Sequence, residues 1–119
     1  MSFDNSTTRV QMPRAETIAR LNDRLRTTGT GGAIVTTRGV CALPGFDLAT
    51  LIGALQRYVA FDVDNDPLGE RDFGDLDLFG AELLWKIDYY DLQLEYGSSD
   101  PADPTVTKRI LTVMLASEY

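Results

Sequence analysis

Five carboxylates crowd the stretch from Asp62 to Asp72, and the first three, Asp62, Asp64 and Asp66, alternate as the opening ligands of a calcium loop do. Such a loop needs glycine at its sixth position for a sharp turn and a bidentate Glu at its twelfth. Here those positions hold Pro67 and Phe73, which rules out an EF-hand. A looser magnesium or calcium site drawn from Asp62, Asp64, Asp66, Glu70 or Asp72 stays open, beside the ordinary reading of these residues as loop caps. No cofactor is expected.

The chain holds no histidine and a single cysteine, Cys41. Histidine is the usual general base near neutral pH and the commonest transition-metal ligand, so Ser-His-Asp, Cys-His and His-metal chemistry cannot be built from this chain alone. One cysteine excludes an internal disulfide and a Cys-based zinc site, and Cys41 reads as a small hydrophobe in the middle of a strand. Pairs of carboxylates could serve in acid/base hydrolysis, but eighteen acidic residues guarantee accidental pairs, so spacing says nothing about a glycosidase. The glycine-rich run Thr27-Thr28-Gly29-Thr30-Gly31-Gly32 could cradle a phosphate. It follows a helix and enters a strand, the reverse of the nucleotide-binding order, and reads as a helix stop. A non-enzyme is expected.

Binding residues are easier to nominate. In Trp85-Lys86-Ile87-Asp88-Tyr89-Tyr90-Asp91, strand periodicity turns Trp85, Ile87 and Tyr89 one way and Lys86, Asp88 and Tyr90 the other. The second set reads either as an exposed recognition strip, since aromatic residues are enriched at binding hot spots, or as a ladder of cross-strand ion pairs. Charge is distributed unevenly around it. Residues 1–60 hold seven basic and four acidic side chains, residues 61–103 two and thirteen, and residues 104–119 two and one, for a net charge of −7. This balance disfavours direct binding to nucleic acid or to an anionic membrane, and suits a basic protein groove instead. The partner-binding candidates are therefore Asp62, Asp64, Asp66, Glu70, Asp72, Asp75, Asp77, Lys86, Asp88, Tyr90 and Asp91. Solubility is the competing explanation of the same acidity.

The elements that must position these residues follow from local pattern. Residues 1–12 are polar and without period, a flexible arm ahead of a single α+β domain at 13–119. Ile18, Leu21 and Leu25 mark a helix over Ala15–Thr27. Ala33–Thr37 and Val40–Leu43 read as a hairpin around Arg38-Gly39. Asp47 caps a second helix from Leu48 to about Ala60, whose apolar stripe runs through Leu48, Leu51, Ile52, Leu55, Tyr58 and Val59. A polar loop at 62–70 leads to strands at Phe73–Leu78 and Ala81–Tyr89 joined by Phe79-Gly80, and Tyr90–Tyr96 continues the alternation. After a second polar loop, Asp103-Pro104 starts a last helix from about Thr105 to Ala116. The expected fold is an antiparallel sheet of four to five strands against about three helices, in the order α-β-β-α-β-β-β-α. No apolar run approaches the ~18 residues of a bilayer span. With no apolar leader at the N-terminus, a cytoplasmic location is expected.

Several blocks are distinctive as a set: Leu21-Asn22-Asp23 with Leu25-Arg26-Thr27-Thr28-Gly29-Thr30-Gly31-Gly32, Thr37-Arg38-Gly39-Val40, Asp64-Asn65-Asp66-Pro67 with Asp72-Phe73-Gly74, Trp85 to Asp91, and Asp100-Pro101-Ala102-Asp103-Pro104. Together they resemble the uncharacterised bacterial family named domain of unknown function 3768, over about residues 15–119. The resemblance brings no activity, cofactor or catalytic residue. It implies a small accessory protein of plasmids, integrated elements and phages of alphaproteobacteria. The family pattern often has Tyr in place of Leu68 and His in place of Arg71, and this chain departs at both. Combined with the charge map, the resemblance leads to the expectation of a non-enzymatic inhibitor of a nucleic-acid-handling host defence complex, of the anti-CRISPR or anti-restriction type. An acidic-loop metal enzyme or metal binder and a housekeeping dimerisation domain are the alternatives.

Overall fold

The computed structural model describes residues 13–119, so the arm expected at 1–12 lies outside the described residues. The first helix, α1 (Arg14–Thr28), starts at Pro13 and ends where Gly29 enters the left-handed region at φ 73°, its N–H bonding the carbonyl of Leu25. A glycine is the residue that takes this conformation without strain. Strand β1 (Gly32–Thr36) follows, then a single helical turn, α2 (Arg38–Cys41), and a longer helix, α3 (Leu48–Arg57). Asp47 caps α3 by accepting from the backbone N–H of Thr50 at 2.9 Å. The remaining elements are β2 (Phe73–Leu78), β3 (Ala81–Tyr90), β4 (Lys108–Leu115) and a closing 3-10 turn (Ala116–Glu118).

Among the described residues the fold is α+β, with three helices and one four-stranded sheet in the order β1-β4-β3-β2. Pairing is mostly antiparallel, β1 alone running parallel to its neighbour β4. Trp85, Leu83, Leu111 and Val113 of the central strands are fully buried against Leu25 of α1 and Leu51 and Leu55 of α3. Two glycines make this layer close. Gly74 of β2 lies opposite Trp85, and a Cβ there would come within 2.5 Å of both the Trp85 indole nitrogen and the Tyr58 ring. Gly32 lets β1 approach β4 and α1, since a Cβ would run into the Arg109 carbonyl and the Leu25 side chain.

Three local expectations are corrected. The hairpin around Arg38-Gly39 is a strand followed by a helical turn, with Thr37 accepting from the N–H of Val40 as its cap. Because β1 pairs in parallel with a strand from the far end of the chain, no return strand is needed there. Cys41 is accordingly in a helical turn and exposed, with its sulfur 3.0 Å from the Thr36 hydroxyl. Residues 91–96 form a turn, not a strand. The Asp91 carboxylate accepts from the N–H of Glu95, and Leu94 takes φ 60°.

The third correction is the largest, because the segment expected as the last helix is β4, a central strand. Its Leu111 and Val113 are fully buried in the core. The α3 helix also stops at Arg57, short of Ala60, so Val59 lies beyond it and is exposed, as is Leu48 in its first turn. Among the described residues no helix is long and apolar enough to cross a membrane.

Candidate functional site

The strand pair β2–β3 is a hairpin closed by Phe79 and Gly80, which take φ 56° and 73°. Positive φ at both central residues is the geometry that matches the right-handed twist of the flanking strands. The resulting register sets Asp77 directly opposite Glu82, with Asp75 two residues back along the same face of β2. All three side chains belong to exposed residues, and none takes part in an ion pair among the described residues. Like charges directly across a strand pair repel, so this acidic lip lowers the stability of the hairpin that carries it.

The loop ahead of β2 spends several carboxylates on its own shape. Asp62 accepts from the backbone N–H of Asp64 and of Asn65 at 2.9 and 3.0 Å, and Asp66 accepts from the N–H of Arg71 at 2.9 Å. Asn65 completes the loop by bonding the Asp62 N–H and the Ala60 carbonyl. Asp64 is exposed and makes no side-chain hydrogen bond to a described residue. Asp91 likewise caps its turn. Among the described residues no three acidic or cysteine side chains gather as metal ligands would.

Glu70 and Asp72 lie elsewhere, on the helix side of the sheet. Glu70 accepts from the Tyr89 hydroxyl at 3.0 Å, and its carbonyl accepts from the Asn22 amide at 3.0 Å. Asn22, fully buried, also donates to the Tyr89 oxygen at 2.8 Å and accepts from Arg109 Nε at 2.9 Å. Arg109 is 2% exposed, stacks over the Tyr89 ring at 5.2 Å and donates to the Pro101 carbonyl. Burial raises the Tyr89 hydroxyl pKa and lowers that of the Arg109 guanidinium. Asp72 is pushed up by burial first and then by the neighbouring carboxylates of Glu70, Asp66 and Asp88. This network ties α1 to the sheet. The spacing of Asn22, Tyr89 and Arg109 along the chain carries no sign of it.

The strip expected to be exposed on β3 is half-buried. Lys86, Asp88 and Tyr90 share the sheet face opposite the helices, where Lys86 Nζ pairs with Asp88 at 2.8 Å and Tyr90 lies beside Lys108 of β4. That ion pair holds the Lys86 ammonium pKa above its ordinary value. The eleven nominated residues therefore do not form one surface. Asp75 and Asp77 make a lip with Glu82 at the β2 edge of the same sheet face that carries Lys86, Asp88 and Tyr90, whereas Asp62 and Asp64 sit on the preceding loop and Glu70 and Asp72 lie on the helix side. Glu82 was not among those nominated. Its partnership with Asp77 was readable, because a two-residue turn at Phe79-Gly80 fixes the register on either side.

The sequence profile of a family described as Protein of unknown function (DUF3768) matches residues 36–118. The chain belongs to this family. The matched stretch runs from the end of β1 to the closing 3-10 turn, and so contains the acidic loop, the lip and the open-face strip. Helix α1 lies ahead of it, although α1 supplies Leu25 and Asn22 to the buried layer. No curated protein and no solved structure matches the chain.

Proposed function

We propose that this family member is a non-enzymatic binding protein that presents its acidic lip and loop to a basic surface of a protein partner. The observation that carries the proposal is the lip itself: Asp75, Asp77 and Glu82 are held together, exposed and outside any ion pair among the described residues, at a cost in stability. A negative surface of this kind speeds association with a basic groove and selects partners by charge complementarity. Grooves that hold nucleic acid are the basic surfaces best suited to it, because their Lys and Arg clusters are set to neutralise phosphates. The specific form of the proposal is an inhibitor of a nucleic-acid-handling host defence complex of the anti-CRISPR or anti-restriction type.

The test is competition. The protein is expected to co-purify with such a complex, to displace its DNA or RNA, and to protect phage or plasmid in cells that carry it. Combining Asp75→Lys, Asp77→Lys and Glu82→Lys should abolish all three effects while leaving the circular dichroism spectrum intact. Retention of binding by that triple variant would overturn the role of the lip.

A further inference from the structure

The two edges of the sheet are treated differently. β2, one edge, carries Asp75 and Asp77, and inward or edge charges of this kind discourage the pairing of further strands. β1, the other edge, reads Gly-Ala-Ile-Val-Thr, with neither a charge nor a proline to close it. In the parallel register with β4, the Thr37 N–H bonds the Val113 carbonyl at 3.0 Å. Backbone groups alternate in direction along a strand, so Ala33 and Val35 bond β4, while the N–H and C=O groups of Gly32, Ile34 and Thr36 point outward. No described residue bonds them.

The surroundings of this edge are partly apolar and carry basic side chains at both ends, with one carboxylate, Glu118, accepting from the Thr37 hydroxyl at 2.7 Å beside the Arg38 end. At the start of β1 a groove of about 520 Å³ is lined by Gly31, Ala33, Leu92, Leu94, Ile110 and Lys108. Leu92 and Leu94, on the turn that replaced the expected strand, are 46% and 49% exposed. Arg24 reaches the Thr30 hydroxyl at 3.0 Å just ahead of β1, and Arg38 follows it. Neither arginine nor Lys108 takes part in an ion pair among the described residues. A second copy is a poor occupant, because antiparallel β1–β1 pairing would lay the Arg38 end of one strand against the Arg24 and Lys108 end of the other.

We infer that the β1 edge and its groove bind an extended segment of a partner protein as a fifth strand. The segment seats an apolar side chain in the groove and places acidic residues against Arg24, Arg38 and Lys108. Backbone pairing along an edge supplies affinity in such a mode, and the flanking pocket and charges supply selectivity. The site is at the opposite edge of the sheet from the acidic lip and does not depend on what the lip binds.

The probe is a synthetic peptide about nine residues long, alternating Leu or Val with Thr and ending in Glu on both sides, added to the full chain. Amide exchange followed by NMR should slow by about tenfold or more at Ile34 and Thr36, with Ala33 and Val35 unaffected, because a bonded amide exchanges only on opening. N-methylating the probe on its β1-facing amides should abolish binding, and on the alternate amides should preserve it. A Lys-ended probe should bind about tenfold more weakly, and Arg38→Glu with Lys108→Glu should reverse that preference. Unchanged exchange at Ile34 and Thr36 with millimolar probe would overturn the inference. So would protection that grows with protein concentration alone, which would make a second copy the occupant, or perturbation confined to the Asp75–Glu82 edge. The N-methylated probes decide the matter even if the double variant fails to fold.

Discussion

Asn22 is the residue on which most of the buried polar chemistry converges. It serves Glu70, Tyr89 and Arg109 at once, and Arg109 has no carboxylate in direct contact among the described residues. Replacing Asn22 by Leu would strip a buried guanidinium of an acceptor, and urea denaturation should show a loss of about 3 kcal/mol. Tyr89→Phe removes only the hydroxyl that links Asn22 to Glu70, and should cost about 1 kcal/mol. Asp72 acts in the opposite sense. Its carboxyl pKa in the folded protein lies above the ordinary 3.8, so the ionised form is what folding disfavours. This penalty is fully present above the folded pKa and disappears once the pH falls below the unfolded one. Asp72→Asn should therefore raise the melting temperature at pH 7, by a margin that shrinks as the pH approaches 4.

At the scale of elements, β2 and β3 were legible and β4 was not, for a reason that lies in a few side chains. Leu76 and Leu78 alternate with aspartates, and Leu83, Trp85 and Ile87 alternate with polar or half-buried neighbours, so period two is plain. In β4 the inward positions are Arg109, Leu111 and Val113. A charged residue at an inward position hides the alternation, and Val106, Ile110, Val113 and Met114 then fall on a helical stripe by coincidence. The Asp103-Pro104 signal was real chemistry used otherwise, since Asp103 accepts from the Thr105 N–H and hydroxyl to fix a turn. The fit between β2 and β3 is tight enough to test directly. Gly74→Ala would force a methyl between Trp85 and Tyr58, and should destabilise the protein by about 1–3 kcal/mol, read as a lower urea midpoint with an unchanged slope.

Over the whole molecule, the charge asymmetry read along the chain becomes an asymmetry across the sheet. The acidic lip lies at the β2 edge, and Arg24, Arg38 and Lys108 surround the β1 edge, with two strands between them. A single substitution separates a functional lip from one that merely aids solubility. Asp77→Lys would convert a repulsive cross-strand pair with Glu82 into an attractive one and should raise the melting temperature at low salt, with the gain fading as salt is added. If the lip binds a basic partner, the same variant should be more stable and bind less well, measured by calorimetry against that partner.

The sequence by itself determined the class of fold, the caps at Asp47 and Gly29, the acidic loop and the β2–β3 hairpin, because each depends on residues within a turn or two of one another. It also excluded histidine chemistry, which composition alone decides. Tertiary structure decided that β1 pairs in parallel with β4, that Glu70 and Asp72 turn inward, and that Asn22 meets Arg109. Those outcomes rest on contacts between segments up to 87 residues apart, whose free energy comes from burial and mutual hydrogen bonding and leaves no local period to read. Asp75 and Asp77 were likewise legible as exposed alternating carboxylates, and Glu82 joins them through the register that the Phe79-Gly80 turn imposes.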